Sequence, residues 1–169
     1  MKPNIIIKYP KRVSNTTYNQ AQKIYLKYFK EIYYSMSLAE NNLIATKYPK
    51  SIAIIYDYKK VIGSTELIPT NKKIMREFLD LKIGEQELFT GSMMLEKNEI
   101  NSLYICFAVI EKEYREKGII TQSITYQINE IKKKHKINNL FVWPYSKGGL
   151  NLSKKIAKNF NTKLYIRKD

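Results

Sequence analysis

The sequence predicts a single α/β domain, a mixed sheet flanked by helices, and three observations carry that prediction. Apolar runs of strand character alternate with segments of helical period in the order β-α-α-β-β-α-β-α-β-α-β. With 169 residues, 44% of them hydrophobic, the chain is long enough for one real core and short for two. A nearly continuous apolar run at 102–110 then leads through a short charged segment and Gly118 into a helical pattern. That is the form of a buried central strand feeding a helix. Internal repeats, linkers and low-complexity tails are not seen, so residues 1–169 read as one unit.

Taken in order, residues 4–9 (NIIIKY) form a short strand ended by Pro10. Ser14, Asn15 or Thr16 can cap a helix whose apolar face carries Ala21, Ile24, Tyr25, Tyr28, Phe29 and Ile32. A second short helix is expected over 37–45. Residues 51–57 and 60–68 are two strands around a short polar turn, a hairpin. Gly63 marks a bulge or a close approach in the second of them, and Pro69 ends it. Residues 71–82 read as a helix with Ile74, Phe78 and Leu81 on one side. The stretch 83–100, with Gly84, Gly91 and two apolar pairs, reads as a loop or short strand shaping a pocket. The helix after Gly118 carries Ile120, Ile124, Ile128 and Ile131 on one face and ends in KKKHK, where cations suit the helix dipole. Residues 139–144 form a strand stopped by Pro144, 150–158 a helix, and 162–166 a last strand.

The formal net charge of +15 suggests acidic partners, yet only Arg12, Arg76, Arg115 and Arg167 among the 30 basic residues are arginine. Enrichment in Lys, Ile, Asn and Tyr, which share A/T-rich codons, points to a generally solvated lysine surface rather than a nucleic-acid interface. No stretch approaches the length of an apolar membrane span, and the N-terminus is too short in apolar residues for a signal-peptide core, so a cytoplasmic setting and no membrane partner are expected. One cysteine, Cys106, and one histidine, His135, supply neither a disulfide framework nor a metal cluster. Cys106 has no histidine nearby to activate it and reads as a buried thiol.

The junction at 103–131 is where the sequence points to chemistry. A strand, a glycine turn and a helix N-terminus leave unpaired amides facing outward, with a dipole that favours an anion. Lys112, Arg115 and Lys117 crowd the same turn. Arg115-Glu116-Lys117-Gly118-Ile119-Ile120 resembles the Gln/Arg-x-x-Gly-x-Gly/Ala motif of the GNAT superfamily of acyl-CoA-dependent N-acyltransferases. Arg115 and Gly118 match, and Ile120 stands where the family has a small residue. Val61-Ile62-Gly63 in the hairpin, Phe107-Ala108-Val109 at the end of the 102–110 strand and LFVWPYS at 140–146 extend the resemblance over roughly residues 50–166.

The resemblance implies a mostly antiparallel sheet whose fourth and fifth strands splay apart. It implies an acyl-CoA co-substrate, acetyl-CoA foremost, and no metal. Phe107, Ala108 and Val109 would pair with the pantetheine arm, while residues 115–120, with Ser146, would hold the rest of the cofactor. The acyl group would pass directly to a small-molecule or peptide amine. The family often places Asn-x-x-Ala and then a Tyr after the fifth strand, the Tyr protonating the leaving thiolate. Counted from Ser146, Gly149 and Ser153 take the last two places, and Tyr145 lies nearby as a substitute. The missing Tyr keeps a non-catalytic acyl-CoA- or partner-binding protein as an alternative, and the charge keeps an RNA-linked amine as another. Oligomeric state is left open, a homodimer included.

Amine acylation needs a general base near the acyl carbon, often acting through water. Tyr104, Glu99 and Glu66 are the candidates. Period-2 alternation puts Tyr104 on the same side as Cys106 and Ala108. The plainer readings are a packed aromatic for Tyr104, an exposed loop residue for Glu99, and a solvent-facing position on a half-buried strand for Glu66.

Overall fold

The computed structural model describes residues 3–29 and 34–168. Six strands form one sheet in the order β1-β2-β3-β4-β5-β6. They are β1 (Ile5–Lys8), β2 (Ile52–Asp57), β3 (Lys60–Thr70), β4 (Ser102–Ile110), β5 (Asn139–Val142) and β6 (Lys163–Ile166). The first four pair antiparallel, and β4-β5 and β5-β6 pair parallel. The expected mixed, mostly antiparallel sheet flanked by helices is therefore present.

The helices are α1 (Asn15–Tyr28), α2 (Leu38–Lys47), α3 (Lys72–Leu79), α4 (Glu85–Met94), α5 (Ile119–Lys132) and α6 (Lys147–Asn159). Their starts follow side-chain chemistry. Ser14 accepts from the Thr17 amide, Ser37 and Glu40 form a reciprocal capping box, and Asn71 accepts from the Ile74 amide. Ile32, assigned to the apolar face of the first helix, lies outside the described residues.

Two expectations about elements need correction. The stretch 83–100 holds α4, not a loop or strand. Gly84 and Gly91 are weak helix formers, but Gly91 lets α4 close on α3, where the Ile74 Cδ1 lies 3.1 Å from the place of an added β-carbon. Pro69 does not end β3, which continues to Thr70. The β2 register stops at Glu66, and the Leu67 amide makes the last bond toward that side, to the Ser51 carbonyl. By strand parity Pro69 faces the same side, where no strand partner needs its missing N–H.

β3 is buried over its whole length after Lys60, on both faces. One face meets α5, where Thr65 hydrogen-bonds Ser123 and Gln127, and Gln127 donates to the Lys50 and Ser51 carbonyls. The other face turns toward α1. Gly63 approaches β4 so closely that an added β-carbon would sit 2.5 Å from the Val109 carbonyl oxygen. It also pairs with Ile55 just before the irregularity in the β2-β3 register, so both features expected of it are met.

Candidate functional site

The site begins with where β5 stops. It pairs with β4 from Ser102 to Ile105 only, Val142 being its last paired residue. Trp143 and Pro144 then leave the sheet, whereas β4 continues along β3 to Ile110. Among the described residues no strand is hydrogen-bonded to the β5-facing edge of β4 from Cys106 to Ile110. The fourth and fifth strands are splayed, and the gap exposes backbone of Cys106, Phe107 and Ala108, all half-buried in an otherwise buried strand.

A bulge sits at the same place. Glu66 pairs with Phe107 and Leu67 with Ile105, so Cys106 is an extra residue on β4. A bulge bends its strand, raises its twist and re-aims backbone groups. It also breaks the side-chain alternation. Because directly paired residues share a face, Phe107 lies with Glu66 and Tyr104 with Ile68, while Ala108 lies with Thr65 on the opposite face. The expected grouping of Tyr104 with Ala108 is thereby corrected.

Beside the gap lies a cavity of ≈ 290 Å³. Its walls come from α1 (Tyr18, Tyr25), the segment leading into α2, the inner ends of β2 and β3, and Trp143, Pro144 and Tyr145 beyond β5. Glu66 lines it from β3 and Glu85 from the first turn of α4. Glu66 is 0% exposed, and among the described residues neither carboxylate oxygen has a hydrogen-bond partner. The reading of Glu66 as solvent-facing is therefore overturned: alternation marks a solvent face only on a half-buried strand, and β3 is covered on both sides. Burial, and then the charges of Glu85 and Glu40, push its carboxyl up to about 8.

Glu85 was not foreseen, since it fell in the stretch with no legible element. The Tyr104 hydroxyl donates to its carboxylate at 2.7 Å. Burial raises the Glu85 carboxyl, opposed by that hydrogen bond and by the charge of Arg167. Tyr104 is itself fully buried, stacked on Phe141 at 5.0 Å and edge-on to Phe78 at 5.1 Å. Burial and Glu85 drive its phenol well above the ordinary range, and its hydroxyl is committed to Glu85. The Arg167 guanidinium stacks over Phe78 at 4.2 Å and Trp143 at 4.6 Å and donates to the Ile83 carbonyl at 3.1 Å, bracing the same wall.

The other candidates separate. Glu99 is exposed, and its carboxylate accepts from the Glu96 amide at 2.7 Å; it does not line the cavity. Ser153 is buried inside α6 and donates to the Gly149 carbonyl at 2.9 Å, also outside the cavity lining. Tyr145, half exposed, lies at the cavity rim with its ring 4.9 Å from that of Phe29. Cys106 contributes a thiol that burial, Glu66 and Glu85 keep protonated, the opposite of an activated nucleophile.

At the far end of β4 the turn into α5 is built for a backbone-lined mouth. Gly118 has φ 75°, and no atom lies within 4 Å of where its β-carbon would be. The first helical bond runs from the Gln122 amide to the Gly118 carbonyl. The amides of Ile119, Ile120 and Thr121 thus have no helical acceptor. Lys112, Arg115 and Lys117 are exposed around this mouth, as is Glu116, whose φ is 63°. Arg115 lies 4.3 Å over the Tyr28 ring and donates to the Ile110 carbonyl, and Glu111 accepts from Lys27 and Tyr28. Ile119 and Ile120 pack against the core. Ser146 caps α6, accepting from the Gly149 amide at 3.1 Å.

Among the described residues, no cluster of His, Cys, Asp or Glu could hold a metal ion, and no helix is long and apolar enough to cross a membrane.

No protein-family profile matches the sequence, and no curated protein matches it. Solved structures do. The chain is similar to the diaminobutyrate acetyltransferase EctA from Paenibacillus lautus, in complex with L-2,4-diaminobutyric acid and coenzyme A. The TM-score is 0.56 at 10% identity, over 94% of this chain and 75% of that one. It is similar to an aminoglycoside acetyltransferase from an uncultured soil metagenomic sample, in complex with sisomicin. Here the TM-score is 0.55 at 12% identity, over 90% and 86% of the two chains. It is also similar to the loading GNATL domain of CurA from Lyngbya majuscula, with TM-score 0.57 at 12% identity over 88% and 68%. At these identities the likeness is one of fold, and the fold of this chain is that of the GNAT superfamily.

Proposed function

We propose that the protein is an acyl-CoA-dependent N-acyltransferase, acetyl-CoA being the first donor to test, that acylates an amine directly. The observation that carries this reading is the open edge of β4 beside a fully buried carboxylate that has no partner, Glu66. The free backbone of Cys106 to Val109 would pair with the pantetheine arm in place of a strand. The amides at 116–121, with Lys112, Arg115 and Lys117, would hold the pyrophosphate. Neighbours of the same fold that carry coenzyme A or amine substrates support the assignment.

The chemistry follows from charge and position. Backbone N–H groups re-aimed by the bulge would polarise the thioester carbonyl, as in an oxyanion hole. Glu66 would take a proton from the acceptor ammonium, directly or through water. The nitrogen lone pair then attacks the carbonyl carbon, the C–N bond forms, the C–S bond breaks, and the CoA thiolate leaves. Tyr145, the exposed phenol at the rim, would return a proton to the sulfur, and the second proton that the nitrogen loses after attack would pass, through water, to restore that phenol. A non-catalytic CoA-binding protein is the second reading, favoured by Ser153, whose hydroxyl is committed to the Gly149 carbonyl.

Calorimetric titration with acetyl-CoA and with CoA, alongside Gly118→Trp, tests the cofactor site, and thiol release across an amine panel tests the reaction. Saturable binding lost in the variant, with thiol release that Glu66→Gln abolishes, is expected. Tight CoA binding without thiol release from any amine moves the second reading to first place. No CoA binding by the wild type overturns both.

A further inference from the structure

The polarity of the cavity narrows the acceptor, given the acyl-transfer reading on which this inference rests. The chain has 30 lysines and arginines, yet among the described residues no lysine or arginine lines the cavity. Among the described residues its charged lining is Glu66 and Glu85. Arg167, the basic group coupled to Glu85, is engaged with Phe78, Trp143 and the Ile83 carbonyl and does not reach the lining. A chain that is basic outside has built an acidic interior.

The Glu66 carboxylate is the second, independent observation. It is completely buried, lacks any hydrogen-bond partner among the described residues and faces this cavity. A buried carboxylate of that kind is satisfied when a cationic donor enters. The rest of the lining suits the same guest. Tyr25, Phe29, Tyr34 and Trp143 present ring surfaces, which attract ammonium groups and pack on methylene chains. An acceptor bearing a carboxylate finds no cationic partner in the described lining and meets like charge wherever Glu66 and Glu85 ionise. The volume of ≈ 290 Å³ admits a small molecule and no folded partner.

We propose that the acceptor is a small aliphatic di- or polyamine without a carboxylate, with the reacting amino group at Glu66 and a second ammonium held by Glu85. The roles differ because the surroundings differ. Glu66 has no fixed donor and is free to take a proton. Glu85 has one oxygen fixed by Tyr104, which orients the carboxylate as a docking group.

The test compares n-butylamine, 1,4-diaminobutane, spermidine and 2,4-diaminobutyrate by calorimetry on the full chain with CoA present, in parallel with thiol release from acetyl-CoA. We expect 1,4-diaminobutane and spermidine to bind at least about tenfold more tightly than n-butylamine, and the added carboxylate to reverse that gain; a tenfold ratio is about 1.4 kcal/mol. Glu85→Gln, which can still accept the Tyr104 hydrogen bond, should bring the diamine-to-monoamine ratio close to one. Equal binding of mono- and diamines, tighter binding of the amino acid, or a preference that survives Glu85→Gln in a variant with unchanged melting temperature would overturn the proposal. Failure of the two readings is distinguishable. Diamine preference without thiol release defeats acyl transfer and leaves this recognition standing, whereas thiol release with no diamine preference does the reverse.

Discussion

Replacing Glu66 by Gln should stabilise the protein in alkali while removing activity. The fully buried Glu66 carboxyl is raised from an ordinary 4.5 to about 8, chiefly by burial. Below pH 4.5 the group is protonated in folded and unfolded chains alike and contributes nothing. Between 4.5 and about 8 the unfolded chain releases the proton while the folded chain keeps it, so stability falls as pH rises, and above 8 the full penalty applies. At about 1.4 kcal/mol per pH unit, that interval corresponds to at most about 5 kcal/mol. Water entering the open cavity screens part of it, and about half is a reasonable expectation. For a chain of this size each kcal/mol moves the melting temperature by about 2–4 °C, so the gap between Glu66→Gln and wild type should widen by roughly 4–12 °C from pH 5 to pH 9. Thermal unfolding of both proteins across that range, read by circular dichroism, measures it. Titrating groups that do not interact with Glu66 cancel in the difference, and any packing offset of the amide is independent of pH. Parallel profiles, with a constant difference from pH 5 to pH 9, would refute the argument, because Glu66 would then titrate as an ordinary solvated carboxylate. In the same series, wild-type kcat/KM should rise with pH to a plateau above about 8, since a base must be ionised to act, and Glu66→Gln should lose about 10²–10⁴-fold.

Gly118→Ala should weaken CoA binding at least about tenfold at a stability loss of roughly 1 kcal/mol, because the left-handed conformation strains a β-carbon that also projects into the mouth of α5; calorimetry and melting temperature report the two effects separately. Arg167→Lys should not be conservative: it keeps the charge but loses the flat stack on Phe78 and Trp143, lowering stability by about 1–2 kcal/mol, and a melting temperature equal to wild type would show that the stack contributes nothing. Gln127→Leu removes the side-chain donor to the Lys50 and Ser51 carbonyls and one of the two partners of the Thr65 hydroxyl in a buried network, so stability should fall by about 1–3 kcal/mol while KM for amine and cofactor is unchanged.

The legible parts of this molecule are those where residue type is forced by backbone geometry. Gly118 announced the turn because φ 75° excludes most side chains, and the apolar run of β4 announced a strand covered on both faces. The capping residue Ser14 was visible for the same reason, being chosen for a hydrogen bond to a nearby amide. The illegible parts depend on neighbours distant in sequence. Glu66 was assigned to solvent because nothing local says that α1 covers that face of β3. α4 was missed because its glycines weaken helical propensity, and what they gain is packing against α3; Glu85 was lost with it. Tyr104 was grouped with Ala108 because the bulge at Cys106 has no glycine to signal it.

The bulge, the splay and the buried acid share one origin. Pairing of β5 with β4 ends at Ile105, one residue before the extra Cys106, and the bulge opens opposite the Glu66–Leu67 step of β3. The added twist turns the outer half of β4 away from the line of β5, which releases backbone donors and acceptors from the sheet. It also moves Phe107 onto the face of Glu66, so that the carboxylate has an aromatic neighbour and no cross-strand polar partner. Had the strand continued without the insertion, β5 could have paired further, and the open edge of β4 would be filled by protein. On the proposed acyl-transfer reading, the isolation of Glu66 would then follow from how the slot for the pantetheine arm is made: a strand irregular enough to admit a thioester would leave, on its inner side, a carboxylate for an incoming amine to satisfy.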